Sequence, residues 1–392
     1  MMSGAVFFLV LVQAADPAAD LLKREWAAVE EMARRPDLKS ALQGLARSKD
    51  ADLAWWAGAA LAELEAREQA GKAWREPLRV TFTAKERGAS EVFREILGFA
   101  RPSPPPVDVI EEDRPVTVAF KETPYFQALD EVSLQAGVVL ARGAGGRRQM
   151  VRADPSHGPR QYRSSFAVST VQLARKTDVT FREDPDSQLH LQLLLRVDPT
   201  VRMVDTEGEC VIVLARDDTG HSLLKEGSTP GVRIRSGEGE AALQLVLGLP
   251  PPEARRISLL RGTVSITLAR KTEEIEFGNL GKAPEQVRES GGVKAVLKSI
   301  ERSGDEIRVE IELSAKERLP WPDADNILLD DGEGRPFQRA GSSMSSSASG
   351  ATYRLTFRDR DGVGEARRLQ VSVVSETYPR KVFFELRDFV MR

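Results

Sequence analysis

Cysteine is almost missing from this chain. Cys210 stands alone in 392 residues, which excludes an intramolecular disulfide and a cysteine-rich metal site. Histidine is nearly as scarce: His157, His190 and His221 leave little for histidine-based metal or acid–base chemistry. Aromatic residues make up 6%, which is low for a glycan-binding face. Excess charge of one sign is also lacking. Lys and Arg number 56 against 59 Asp and Glu, a net charge of -3, so no global basic field draws the chain onto nucleic acid or anionic lipid. No apolar run approaches the roughly 20 residues that a helix needs to cross a bilayer. What is present is ordinary for folded protein: 41% hydrophobic and 29% charged residues. The length suits two or three domains.

The N-terminus carries a short apolar run, Ala5-Val6-Phe7-Phe8-Leu9-Val10-Leu11-Val12, followed by Gln13-Ala14-Ala15. The run has the size of a signal-peptide core, and Val12 and Ala14 suit the small −3 and −1 sites of a cut after Ala14. No Lys or Arg precedes it, and no cysteine sits at the cut, which excludes a lipoprotein anchor. The expectation is a signal peptide over 1–14 and an exported protein, periplasmic or extracellular, with no membrane-spanning segment after cleavage.

Residues 16–76 have helical composition, with Leu21, Leu22, Trp26, Val29 and Met32 at helical spacing, then Leu38, Leu42 and Leu45. Pro36 separates the two sets, and Asp37 is placed to cap the second helix. A third helix is expected after Asp50, carrying Leu53, Trp56, Ala60 and Leu64. The stretch 41–64 is similar to a single helical pair of the HEAT kind. Because a solenoid needs at least three such units, the segment is read as a small helical domain. Trp26, Trp55, Trp56 and Trp74 are read as packing residues rather than a binding surface.

An internal repeat follows. Val80-Thr81-Phe82-Thr83-Ala84-Lys85-Glu86 leads into a helical pattern from Ala89 to Ile96, and Val116-Thr117-Val118-Ala119-Phe120-Lys121-Glu122 leads into Gln127 to Val132. The copies align without a gap at an offset of 36, with a proline-rich linker, Pro102 to Pro106, between them. Each alternates like a strand and then switches to helical period, so two strand–helix units are expected. The second copy, with Thr123-Pro124, Ala128-Leu129 and Gln135-Ala136-Gly137-Val138-Val139-Leu140, resembles the short N-terminal domain of secretins and TonB-dependent receptors. The resemblance covers 116–140, extends more weakly over 80–100, and implies a small periplasmic α+β module, here 78–152, that contacts other proteins. No secretin ring and no receptor barrel follows in the sequence.

From about 160 the chain reads as strands. Leu189, Leu191, Leu193 and Leu195 alternate with polar residues, as do Leu243, Leu245 and Leu247, then Val264, Ile266 and Leu268, then Ile307, Val309, Ile311 and Leu313. One buried and one wet face is the pattern of antiparallel sheets. This region repeats too, at an offset near 112: Glu253-Ala254-Arg255-Arg256 recurs as Glu365-Ala366-Arg367-Arg368. Two residues out of that phase, Asp217-Asp218-Thr219-Gly220-His221 falls on Asp331-Gly332-Glu333-Gly334-Arg335. The expectation is two tandem antiparallel β-sandwiches of the immunoglobulin-like kind, 160–282 and 288–392, completing a multidomain α+β protein.

Four features invite a chemical reading, and each has a plainer one. Asp217-Asp218, with Asp323, Asp325, Asp330, Asp331 and Glu333, offers carboxylates for calcium, but the spacing fits no EF-hand and suits hairpin turns. His221 beside Ser222 lies on one hairpin, whereas a catalytic triad draws its members from separate elements. Gly143-Ala144-Gly145-Gly146-Arg147-Arg148 is followed by a strand pattern, Gln149-Met150-Val151, not by the helix a phosphate loop needs. Cys210 sits in a strand pattern as a small core residue. No catalytic, cofactor or metal residue is therefore assigned, and calcium is not expected. The leading expectation is a non-enzymatic interaction or scaffold protein of the bacterial cell envelope, with a protein partner. A carbohydrate-binding or adhesion protein and an unrecognised extracytoplasmic hydrolase remain as alternatives.

Overall fold

The computed structural model describes residues 21, 25–100, 107–109, 112–142, 148–152, 158–163, 165–178, 186–205, 210–224, 232–237, 239–280, 285–316, 320–347, 349–359 and 364–390. The expected signal peptide, most of the proline linker and the turn 143–147 lie outside the described residues. The chain divides into two compact units, 1–71 and 72–392.

The first unit is helical. Its described residues include the helices α1 (Trp26–Met32), α2 (Lys39–Leu45) and α3 (Ala51–Ala70). The Trp26 and Trp56 rings meet edge-on at 4.6 Å, and Val29, Met32, Leu42 and Leu64 are buried. Asp50 caps α3, its side chain accepting from the N–H groups of Asp52 and Leu53. Asp37 does not cap α2. Its carboxylate pairs with Arg35 at 2.9 Å, and Pro36–Leu38 forms a turn of 3₁₀ helix before α2 begins. The proline at the first helical position favours that tighter start, which places Leu38 at the cap position of α2.

The second unit opens with an α+β module. Its elements are β1 (Arg79–Gly88), α4 (Ala89–Ala100), β2 (Val107–Val109), β3 (Pro115–Pro124), α5 (Tyr125–Ala136), β4 (Val138–Arg142) and β5 (Arg148–Arg152). β1 pairs antiparallel with β3, while β2 lies parallel and β4 antiparallel to β5. The offset of 36 read in the sequence holds at both ends of both strands and both helices. It also holds bond by bond: the Glu86 N–H donates to the Thr117 hydroxyl and the Glu122 N–H to the Thr81 hydroxyl, each at 3.1 Å. Glu86 and Glu122 share φ 50, a left-handed backbone that the cross-strand threonine bond holds in place. The first helical N–H groups, of Ala89 and Tyr125, donate to the carbonyls of Arg114 and Leu78 across the same pseudo-twofold axis. Val80, Phe93, Ile96, Val118, Phe120 and Val132 fill the core between sheet and helices.

Fifteen further strands follow. These are β6 (Arg160–Arg163), β7 (Phe166–Asp178), β8 (Asp186–Val197), β9 (Met203–Asp205), β10 (Cys210–Asp217), β11 (Val232–Gly237), β12 (Glu240–Leu247) and β13 (Arg256–Gly278). The second repeat supplies β14 (Gln286–Ser290), β15 (Val293–Ser303), β16 (Glu306–Ala315), β17 (Ile327–Asp330), β18 (Gln338–Ser346), β19 (Gly350–Arg358) and β20 (Arg368–Val390). They form two five-stranded sheets of matching order, β11-β12-β8-β7-β6 and β18-β19-β16-β15-β14, and a third, β10-β13-β20-β17, to which β9 adds.

The third sheet departs from two separate tandem sandwiches. β13 and β20, 112 residues apart at both ends, pair antiparallel from Arg256↔Val390 to Gly278↔Arg368. Ile275 and Phe277 of β13 pack in one core with Ile327, Leu329, Leu369 and Val371 and with Val309, Ile311, Tyr353 and Leu355 of the second five-stranded sheet. The last turn of the first segment's long strand thus packs against the second segment's sheet. The physical reason is length: at about 3.3 Å per residue, a 23-residue strand is far longer than one sandwich is deep. Along its whole length it finds hydrogen-bond partners in its own repeat copy. Side chains cover the open edge of β20 beyond β17: Gln161 accepts from the Glu385 N–H, and Arg163 donates to the Phe383 carbonyl. On the matching edge of β13, Gln286 donates to the Gly278 carbonyl at 3.0 Å.

Candidate interaction surface

The acidic candidates and His221 lie in or beside turns and Cys210 opens β10, while the glycine-rich stretch 143–147 lies outside the described residues. Asp217 is buried, and its Oδ1 accepts from the N–H groups of Thr219 and His221 and from the Thr219 hydroxyl. Asp331 repeats the arrangement, accepting from Glu333 and Arg335 N–H groups and, at 2.6 Å, from the Arg335 side chain. Asp218 accepts from the Arg255 N–H, and Asp330 pairs with Arg368 at 2.8 Å. Asp323 precedes the short 3₁₀ turn Ala324–Asn326 that contains Asp325. Among the described residues no group of three or more metal-ligating side chains gathers, and no helix is long and apolar enough to cross a membrane. Cys210 is buried at the start of β10, where desolvation pushes its thiol up to about 12. The Trp321 indole donates to the Ser347 carbonyl, and the Trp74 ring lies 4.9 Å from the Arg380 guanidinium, which also covers Phe166 at 4.2 Å.

A more informative cluster joins the α+β module to the β-sheet that follows. Asp130, on α5, is 9% exposed. It receives a bidentate pair from Arg196 of β8 at 2.6 and 3.0 Å, the Tyr162 hydroxyl at 2.7 Å, and Arg160 at 3.2 Å. The Arg196 guanidinium also lies 4.7 Å from the Phe126 ring. Burial raises the cost of charging Asp130. The attraction of Arg196, its hydrogen bonds and the pull of Arg160 outweigh that cost and hold the carboxyl below its ordinary range. For the same reasons, burial and then the Asp130 charge, the Tyr162 hydroxyl titrates well above its ordinary value. Next to this cluster, the Leu78 N–H donates to Asp198 at 2.7 Å. One helix of the module is therefore a docking face, already occupied by a strand of the same chain.

The pseudo-twofold axis of the module gives α4 the equivalent face. Arg94 stands at the repeat position of Asp130. Among the described residues Arg94 is exposed, and Glu91, Arg94, Glu95, Gly98 and Phe99 line a shallow, wide-open depression, with Phe99 41% exposed. Glu91 and Glu95 both lean on Arg87, Glu95 at 3.3 Å, which ties the two carboxylates to one side of the depression. Sequence reading passed over both faces. Asp130 and Arg94 look like ordinary wet positions of amphipathic helices, although the gapless alignment already placed one on the other.

No protein-family model and no curated protein matches the chain. A solved structure described as the conserved domain protein from Bacillus anthracis is 10% identical, covers 59% of this chain and 88% of its own, and has a TM-score of 0.18, a likeness too low to carry an argument.

Proposed function

We propose that this is an exported, non-enzymatic interaction or scaffold protein of the bacterial cell envelope, and that the α4 face of its α+β module receives a partner protein. The observation that carries the reading is the duplicated helix face. The α5 copy is buried against a strand through a charged anchor at residue 130, and the α4 copy presents the corresponding position, Arg94, beside an exposed aromatic. Aromatic and arginine side chains are the residues that most often anchor interfaces. The resemblance of 116–140 to the short domain of secretins and TonB-dependent receptors supports the same reading. The residues that carry it lie in β3, which ends at Pro124, in α5, which Pro124 precedes at the cap position, and in β4. The β-rich remainder, read as two repeats of immunoglobulin-like kind joined along β13 and β20, is a scaffold that fixes where the module points.

The compartment is tested by N-terminal sequencing of the native protein. Release after Ala14, giving Ala15 as first residue, is expected; a cytosolic product that keeps Met1 contradicts the reading. The interaction is tested by crosslinked capture from the envelope of the native organism. The double variant Arg94→Glu/Phe99→Ala is expected to lose a partner that the parent retains, at unchanged melting temperature.

A further inference from the structure

β13 and β20 cross reciprocally from one repeat to the other. Between Ile257 and Leu268, β13 pairs with β10 and then β9 of its own repeat, while its Ile275 and Phe277 lie in the core of the second. β20 starts beside β17 of its own repeat and ends in the first, where Phe384 closes over Gly262 and where Gln161 and Arg163 hold its edge. At the crossing Thr267 lies opposite Pro379, its own repeat counterpart. The crossing is also the weakest stretch of the shared ribbon. None of the residues from Ala269 to Glu274 is buried, although Leu268 and Ile275 on either side are, and Ser375, Glu376 and Thr377 of β20 are equally unburied. The ladder slips on both strands: the register steps from Ala269↔Thr377 to Lys271↔Glu376 to Thr272↔Val374, which leaves Arg270 and Ser375 without an opposite residue. Such bulges interrupt the ladder and bend the strand locally. No other described strand spans the gap, since the β9 pairing ends at Leu268 and the β17 pairing at Val371. The Phe383 carbonyl and the Glu385 N–H face the open edge of β20. By alternation so does the side on which Pro379 lacks an N–H, and a further strand finds no donor there.

We infer that this crossing is a hinge on which the two repeats bend relative to each other, and that Arg202 is its latch. Hinges place the change in a few residues between well-packed bodies, and a two-stranded ribbon twists more than a wide sheet. Arg202 belongs to the connection between β8 and β9 in the first repeat. Its carbonyl accepts from the Ala269 N–H of β13 at 2.9 Å, and its guanidinium donates to the Ser372 carbonyl and hydroxyl of β20, each at 3.3 Å. One residue thus staples both strands across the bulged stretch and ties the first repeat to a strand segment packed in the second. From the second repeat, the turn at Gly291 rests on the same stretch: a Cβ there would lie 2.7 Å from the Glu273 side chain and 2.8 Å from that of Ser375. That contact sets a stop to bending on its side. The inference concerns the β-region alone and stands whether or not the α4 face binds a partner.

Spin-label distances measured by double electron–electron resonance on the full chain test it. Val171→Cys with Met344→Cys reads the distance between the repeats, and Val171→Cys with Val213→Cys reads one within the first repeat; all three positions are exposed, and Cys210 is buried away from the label. The parent is expected to give one narrow distance between 171 and 344. Arg202→Ala is expected to broaden it or add a second, well-separated distance, with the 171–213 distance unchanged. The same 171–344 distribution with and without Arg202, or an equal change in both label pairs, overturns the proposal. Amide hydrogen exchange in the parent gives a second test that needs no variant. Residues 269–274 are expected to exchange faster than 257–264 and 275–278 on either side, because a hinge opens locally. Uniform protection along β13 contradicts a hinge at this place.

Discussion

Asp130 is buried, it faces two arginines, and its bond to Arg196 spans 66 residues of chain. Removing one partner of a buried pair leaves the other charged and unsolvated, which costs roughly 3–5 kcal/mol. Asp130→Asn is therefore expected to lower the unfolding free energy of the second unit by about that amount in urea. A loss below about 0.5 kcal/mol is what a wet surface position would give. The pH dependence follows from the same pair. The folded carboxyl is depressed below its ordinary 3.8, so its contribution is complete above that value and drains away as pH falls through the lower folded value. The Asn variant loses this part of the acid limb, and an unchanged acid profile would contradict the assignment. Gly262 makes a second, purely steric point. A Cβ there would press on the Phe384 ring and lie 2.8 Å from Ile212, so Gly262→Ala is expected to cost about 1–3 kcal/mol by overpacking. Neither residue was legible in advance. Asp130 has the spacing of a solvent-facing helix position, and nothing local to Gly262 tells of a ring 122 residues further on.

Among the elements, the repeats were the legible part. The offset of 36 returned two strand–helix units with matching ends, and the offset of 112 returned β13 and β20. The hairpins of Asp217 and Asp331 came out alike down to their backbone bonds, Asp217 N–H to the His221 carbonyl and Asp331 N–H to that of Arg335. What alternation cannot tell is which strand lies beside which, because period two reports the buried face and is silent about the neighbour in the plane. Hence the expectation of two tandem sandwiches, 160–282 and 288–392, where the structure pairs the two long strands with one another. This pairing predicts the behaviour of fragments. A fragment of residues 72–392 is expected to melt cooperatively. A fragment of residues 288–392 keeps β20 but loses the strand that pairs along its whole length, and it is expected to lack a cooperative thermal transition. Independent folding of 288–392 with β-type circular dichroism would show that the shared sheet is dispensable.

At the scale of the whole chain, the proposed reading makes the duplicated β-region a support and the α+β module the part that presents a surface. Its α5 side is spent on the support, and its α4 side is open around Arg94 and Phe99. The near balance of charge supplies no global basic field to draw the chain onto nucleic acid. It could not indicate where a protein partner would sit, because Phe99 belongs to the same apolar helical rhythm as the core residues Phe93 and Ile96. The most direct test is site-specific photo-crosslinking in the native envelope, with the photoreactive residue placed at Phe99 and, as a control, at Leu328 of β17, which is also exposed. The account predicts one adduct of defined mass from position 99, absent from position 328 and abolished by Arg94→Glu. No adduct from 99, or the same adducts from both positions, would contradict it.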